Sequence, residues 1–314
     1  MMAWLAEPLH AGVAALFGLL LLAGAVTALL TRRHPGRRYT ELKLRVRTWV
    51  LIIAVFVVAI AFNRTVGVVV FGLVSFLAFK EFLTLVPTRR VDYSVLIWAY
   101  LAIPLQYYWI AAGWYGMFIV FIPVYVFLLL PMRMVMIGDT QGFLRAVGTI
   151  HWGLMTTVFC LSHIAYLLAL PDRTVGPYGI TGATLVFYLV VLTELNDVAQ
   201  YIWGKLLGRH KAIAKVSPGK TVEGLLGGVA TTTLLAWFMA PWFTPLNGVE
   251  SLAAGLLIGF AGFVGDVVMS AVKRDIGVKD SGAMLPGHGG ILDRLDSLTF
   301  TAPLFFHFVY YLHY

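Results

Sequence analysis

The chain is a succession of long apolar runs separated by short polar stretches in which Lys and Arg collect. A helix needs about 20 apolar residues to cross the hydrocarbon core of a bilayer. Ten runs approach that length, near 8–30, 48–63, 65–86, 94–112, 114–132, 149–170, 180–203, 224–243, 250–271 and 297–313. The pattern predicts an all-α, polytopic integral membrane protein with about ten transmembrane helices. Only Asn63 and Arg64 separate the second and third runs, which predicts a tight helical hairpin. The first run is long, has no basic segment before it and a basic block after it. It reads as a retained helix, not a cleaved signal.

The basic residues test the span count. If the runs alternate in direction, the odd-numbered connections share one side. They hold Arg32, Arg33, Arg37, Arg38, Lys43, Arg45 and Arg47; Lys80, Arg89 and Arg90; Arg133 and Arg145; Lys205, Arg209, Lys211, Lys215 and Lys220; and Lys273, Arg274, Lys279 and Arg294. That is 21 of the 23 Lys and Arg, with only Arg64 and Arg173 on the other side. The positive-inside rule then places these connections in the cytoplasm and both termini outside. For a bacterial protein this means the inner (plasma) membrane.

Composition agrees. Of 314 residues, 60% are hydrophobic and 12% charged, about half the charged share of a soluble domain. The net charge of +8 follows topology instead of forming a patch, so no nucleic-acid partner is expected. The single Cys160 excludes an internal disulfide framework and a Cys-based zinc site, and reads as packing.

Acids in or beside apolar spans are costly and usually functional. Glu194, Asp197 and Tyr201 stand at i, i+3 and i+7 on one helical face, and Asp266, Ser270 and Lys273 share another. Helix-packing ion pairs, or a proton relay in a transporter, would also use such acids. From Ser270 the chain then reads SAVKRDIGVKDSGAMLPGHGGILDRLD. Lys and Arg suit phosphate oxygens, the glycines admit close approach of backbone amides to an anion, and Asp293 and Asp296 stand one turn apart.

Taken together, Ser270, Lys273, Arg274, Lys279, Asp280, His288, Gly289, Gly290, Asp293, Arg294 and Asp296 resemble the motif of phosphatidate cytidylyltransferases, the CDP-diacylglycerol synthases. A second stretch from Asn196 to Gly224 is similar to that family's cytoplasmic segment at Asp197, Tyr201, Ser217, Pro218, Lys220, Thr221, Glu223 and Gly224. It departs at Val198, Ala199, Gln200 and Gly219, which marks a variant branch. The resemblance starts near Leu42. Residues 1–41 are therefore expected to be an added transmembrane helix and basic loop, ahead of a body over 42–314 with motifs at 194–224 and 266–297. Pro218-Gly219-Lys220-Thr221 also resembles the end of a P-loop, but Ala214 stands where that motif needs Gly.

The resemblance implies CTP and phosphatidic acid as substrates, in-line attack of the lipid phosphate on the α-phosphorus, and a possible homodimer among membrane lipids. Asp266 and Asp293, on the elements flanking the basic loop, are the expected Mg²⁺ ligands, the same pair the resemblance implies. Ser270 is a candidate at a second cation, magnesium or monovalent. Lys273, Arg294, Asp197 and Asp296 complete the candidate catalytic set. Ser217, Lys220, Thr221, Arg274, Lys279, His288, Gly289 and Gly290 are candidate binders of the triphosphate and lipid headgroup. A CTP-dependent lipid or polyprenol kinase would share much of such a pocket. A transporter leaves the polar motif unexplained.

Overall fold

A computed structural model describes residues 8–33, 39–89, 92–175 and 178–314. Arg37, Arg38 and Arg90, counted above with the basic side, lie outside the described residues. The elements are α1 (Pro8–Arg33), α2 (Thr40–Ala61), α3 (Arg64–Leu85), α4 (Tyr93–Ala111), α5 (Tyr115–Val120), α6 (Phe127–Val135), α7 (Phe143–Leu154), α8 (Leu161–Leu167), β1 (Arg173–Val175), β2 (Tyr178–Ile180), α9 (Gly182–Leu207), β3 (Lys211–Ile213), β4 (Ser217–Thr221), α10 (Val222–Phe243), α11 (Gly248–Asp275), α12 (Leu292–Leu295) and α13 (Leu298–His313). A π-helical turn at Phe121–Val126 joins α5 to α6, and another at Met155–Cys160 joins α7 to α8.

Among the described residues nine helical spans are long and apolar enough to cross a membrane, with the joined pairs counted as one each. The protein is an integral membrane protein. The tenth expected span is α13, a helix of 16 residues. The ladder breaks between α12 and α13, although Asp296 and Ser297 keep helical backbone angles. Two features escape hydropathy. First, α2 starts at Thr40, ahead of the predicted 48, so Lys43, Arg45 and Arg47 lie on a helix and not in a loop. Second, two short antiparallel hairpins, β1–β2 and β3–β4, lie in the connections before and after α9.

Cross-chain contacts sort the connections onto two faces. On one, the Arg89 guanidinium donates to the Gln141 carbonyl, Thr48 Oγ1 donates to Pro286 O at 2.7 Å, and Lys220 pairs with Asp266 at 2.6 Å. On the other, Arg64 donates to Ile110 O at 2.6 Å, Arg173 lies 4.8 Å over the Tyr314 ring, and His313 meets Glu250 at 2.9 Å. The basic connections therefore gather at one end of the bundle, as the alternation predicts.

Several polar side chains inside the bundle find partners there, as a lipid surround favours. Ser75 and Tyr107 share a hydrogen bond of 2.7 Å, Gln106 donates to Phe118 O at 3.0 Å, and the buried Tyr188 hydroxyl donates to Ala236 O at 3.1 Å. Small residues let α9, α10 and α11 pack closely. Asn196 at their junction donates to Gly259 O at 3.2 Å and accepts from Thr232 at 3.0 Å. This tight trio carries Asp197 on α9 and Asp266 on α11.

Candidate active site

The acids of α9 and α11 face the α12–α13 turn. Asp197 Oδ2 accepts from Ser297 Oγ at 2.9 Å, and the same hydroxyl lies 3.2 Å from Gly262 O. Gly265 makes this approach possible, because a Cβ there would come within 2.6 Å of Asp296 O and 3.1 Å of Ser297 Cα. Asp296 is buried, and its Oδ1 accepts from Ser297 N at 2.9 Å. The charges of Asp197 and Asp266 act on Asp296, with Lys273 opposing them. Lys220, Asp266 and Arg294 act on Asp197. Three acids from three elements thus share one electrostatic site. Tyr201, a turn further along that face of α9, is 66% exposed, its ring beneath the Lys205 ammonium.

Asp266 is engaged from both sides. Its Oδ1 accepts from Ser270 Oγ at 3.2 Å, one turn along α11, and its Oδ2 pairs with Lys220 at 2.6 Å. Lys220 reaches it from β4 and also donates to Gln200 Oε1 at 3.1 Å. Gln200 is one of the positions where the sequence departs from the family pattern, and here it orients a basic residue of the site. The SPGKT segment is a hairpin strand with Lys220 turned to a carboxylate, not a phosphate-cradling loop. Thr221 is buried and caps α10, accepting from Gly224 N at 3.1 Å, so its hydroxyl is occupied locally. Ser217 is half-buried at the start of that strand.

Asp293 anchors the loop between α11 and α12. Lys273 Nζ lies 2.7 Å from its Oδ1, while Ser281 N and Gly290 N donate to its Oδ2 at 2.8 and 2.9 Å. Burial alone would raise this carboxyl's pKa. The Lys273 ammonium and the two amides outweigh it and hold the group below its ordinary value. Gly289, at φ +82°, supplies the left-handed turn that brings the chain over Asp293.

Glu81, on α3, was missed in the sequence reading. It is 5% exposed. It accepts from Ser281 Oγ at 2.6 Å, Ile291 N at 3.0 Å and Leu292 N at 3.0 Å. A Cβ at Gly290 would collide with this carboxylate. Glu81 and Asp293 therefore fasten both ends of the His288-Gly289-Gly290 loop. A lone acid close to the end of an apolar run was the available signal.

The remaining basic candidates differ in setting. Arg274 is exposed and donates to Val278 O at 2.9 Å, and Lys279 is exposed. Nε of Arg294 and Nδ1 of His288 are buried without a partner. The His288 ring meets Trp49 edge-on at 5.8 Å. Burial, and then the charges of Arg294 and Arg45, push its pKa below the ordinary value, so the ring is neutral at neutral pH.

Among the described residues no three His, Cys, Asp or Glu stand together as a ready metal cluster. The donor chemistry nonetheless suits a hard cation. Asp197 Oδ1 is buried without a partner, and the acids around it, with the Ser270 hydroxyl, are oxygen donors of the kind Mg²⁺ takes.

The sequence profile described as the cytidylyltransferase family matches residues 43–312. The chain is 50% identical over 303 residues to the uncharacterized protein YnbB of Escherichia coli (strain K12), covering 96% of this chain and 99% of that one. It is 32% identical over 278 residues to the phosphatidate cytidylyltransferase of Bacillus subtilis (strain 168), covering 87% and 97%. Over 133 residues it is 45% identical to the phosphatidate cytidylyltransferase of Synechocystis sp. (strain ATCC 27184 / PCC 6803 / Kazusa), covering 41% and 44%. The matched segment starts within α2 and ends within α13, and so contains every acid and lysine of the site. This membrane-embedded chain, with its acids and lysines interleaved at one end of the bundle, belongs to the cytidylyltransferase family and is a nucleotidyltransferase.

Proposed function

We propose that the enzyme joins CTP to phosphatidate, forming CDP-diacylglycerol. A phosphate oxygen of the lipid attacks the α-phosphorus of CTP, a new P–O bond forms, and the bond from that phosphorus to the bridging oxygen breaks to release pyrophosphate. The observation that carries this reading is the interleaving of Lys220–Asp266 and Lys273–Asp293 pairs around a glycine loop. Such a site neutralises and positions phosphates and needs no protein nucleophile.

In this reading Lys220 and Lys273 release their acids to meet phosphate oxygens, with Arg274, Lys279 and Arg294 as further phosphate ligands. The His288 ring and the amides around Gly289 and Gly290 orient the same groups. Asp266, Asp293 and Ser270 would hold Mg²⁺ and a second cation, with Asp197 and Asp296 beside them. When bound there, the metal would supply charge neutralisation to the reacting phosphates. The gathered basic end is the cytoplasmic face, where CTP is available. Residues 42–314 form the catalytic body.

The test is transfer of label from α-labelled CTP to the lipid phase by purified protein with phosphatidate and Mg²⁺. Transfer that requires phosphatidate and metal and is lost in Asp293→Asn supports the reading. Transfer of γ-label with CDP left behind would make the enzyme a lipid kinase and overturn it.

A further inference from the structure

Between α1 and the body of the molecule runs an apolar groove of about 1080 Å³. One wall is a single face of α1, where Pro8, Ala11, Gly12, Ala15, Leu16 and Leu19 recur at helical spacing. Facing it are Ile52 and Phe56 of α2, Val190 and Val191 of α9, and Phe238 and Trp242 of α10. The volume lies at the upper end of ordinary ligand pockets.

The helix α1 packs lightly on the body, through Leu9, Val13 and Leu16 against the core. Gly12 lies against the Phe187 ring, where a Cβ would come within 2.5 Å of Cζ. Along its apolar stretch only 6% of residues are buried, against 61% for α9. A helix added for stability would bury its face on its neighbours. Here most of that face lines the groove.

The ends of the groove differ in chemistry. Toward the catalytic end it is bounded by Glu194, Trp49, Leu285 and Arg294. Arg294 carries the buried, unpartnered Nε, and Trp49 carries the groove to the edge of His288. Arg45 reaches the same loop, lying 3.2 Å from the position of a Cβ on Gly287. A nucleotide would leave the apolar walls unfilled, and a hydrocarbon would leave Arg294 unused. An anionic phospholipid satisfies both, with its tails along α1 and its headgroup at the arginine.

We propose that α1, which lies ahead of the family-matched segment, is the tail-selecting wall of an acyl-chain groove that delivers a lipid phosphate to Arg294. The inference rests on the phosphatidate reading above and deepens it. The small residues Ala11, Gly12 and Ala15 set the width of the groove, and bulk at those positions excludes tails.

The experiment uses the full chain in phosphatidylcholine nanodiscs with phosphatidate bearing a diazirine on one acyl chain. After irradiation, adducts are mapped by peptide mass spectrometry. The expected result is labelling of the Ala11–Leu19 face and of Phe238–Trp242, competed by unlabelled phosphatidate. Labelling falls about tenfold in Ala15→Trp, the scale by which a filled apolar pocket rejects excess bulk. Leu21, 75% exposed and off the groove face, serves as control: Leu21→Trp labels like the parent. A phosphatidylcholine probe with the same chain that labels these residues equally, without competition, shows bulk lipid only and overturns the proposal. Unchanged labelling in Ala15→Trp overturns it too. Labelling needs neither CTP nor turnover. Groove labelling without nucleotide transfer would therefore sink the reaction and keep the groove, whereas transfer without groove labelling would sink the groove alone.

Discussion

Lys273 and Asp293 hold one another at 2.7 Å across the loop that joins α11 to α12, with side chains only 12% and 8% exposed. The pair closes a ring of chain around the glycine loop, because Asp293 also takes the amides of Ser281 and Gly290. Removing one member of a buried pair strands the other charge at about 3–5 kcal/mol. Lys273→Met should therefore lower thermal stability more than the double variant Lys273→Met/Asp293→Asn. Both should lose nucleotide transfer. A double variant as unstable as the single would refute the pairing as a source of stability.

Glu81 should behave as a positioning residue. Glu81→Gln keeps the shape but replaces one acceptor oxygen with a donor facing the Ile291 and Leu292 amides and the Ser281 hydroxyl. A buried group left unsatisfied costs about 1–3 kcal/mol. The expected outcome is a lower Tm together with reduced transfer, and a milder loss in Ser281→Ala. Normal transfer in Glu81→Gln would show that the loop holds its shape without this staple.

Packing at the α12–α13 turn gives a steric prediction. In Gly265→Ala the new methyl meets Asp296 O and Ser297 Cα, so the turn must move away from α11. Overpacking of this kind costs about 1–3 kcal/mol. Because Ser297 also holds Asp197, transfer should fall further than stability alone explains. Activity assayed well below the variant's Tm separates the two effects.

His288 predicts a pH dependence. Its folded pKa is depressed, so the unfolded chain binds a proton more readily than the folded one. The stability from its neutral form is complete above the unfolded value of about 6.5 and declines as pH falls from there toward the folded value. Thermal unfolding of the parent and of His288→Asn at pH 8 and pH 5.5 measures this. The gap between them should narrow or reverse at the lower pH; a gap independent of pH would mean the imidazole does not titrate differently on folding.

Hydropathy made the bundle legible because each crossing leaves a run of apolar residues, and the contacts of Arg89, Thr48, Arg64 and Arg173 gather the connections on the faces the alternation assigned. The polar motif was legible because its spacing is dense within one segment. Glu81 was not, since it belongs to that loop only in space, 200 positions away from Ser281. The early start of α2 was hidden by its charges, which sit on a helix beyond the apolar run. The two hairpins were hidden by their length, three to five residues per strand, too short for alternation to show. The role of Gln200 was obscured because a departure from a pattern does not announce its new partner.

The distance along the chain between Glu81 and Ser281 also has a chronology. A ribosome adds about 5–20 residues per second, so the carboxylate is made roughly 10–40 s before its partners. Through that interval only water or lipid headgroups can satisfy it, which the place of Glu81 near the end of α3 permits. The early half of the protein is thus laid down with a vacant acceptor at the membrane edge, and the glycine loop, synthesised some 200 residues later, docks onto a template that is already waiting.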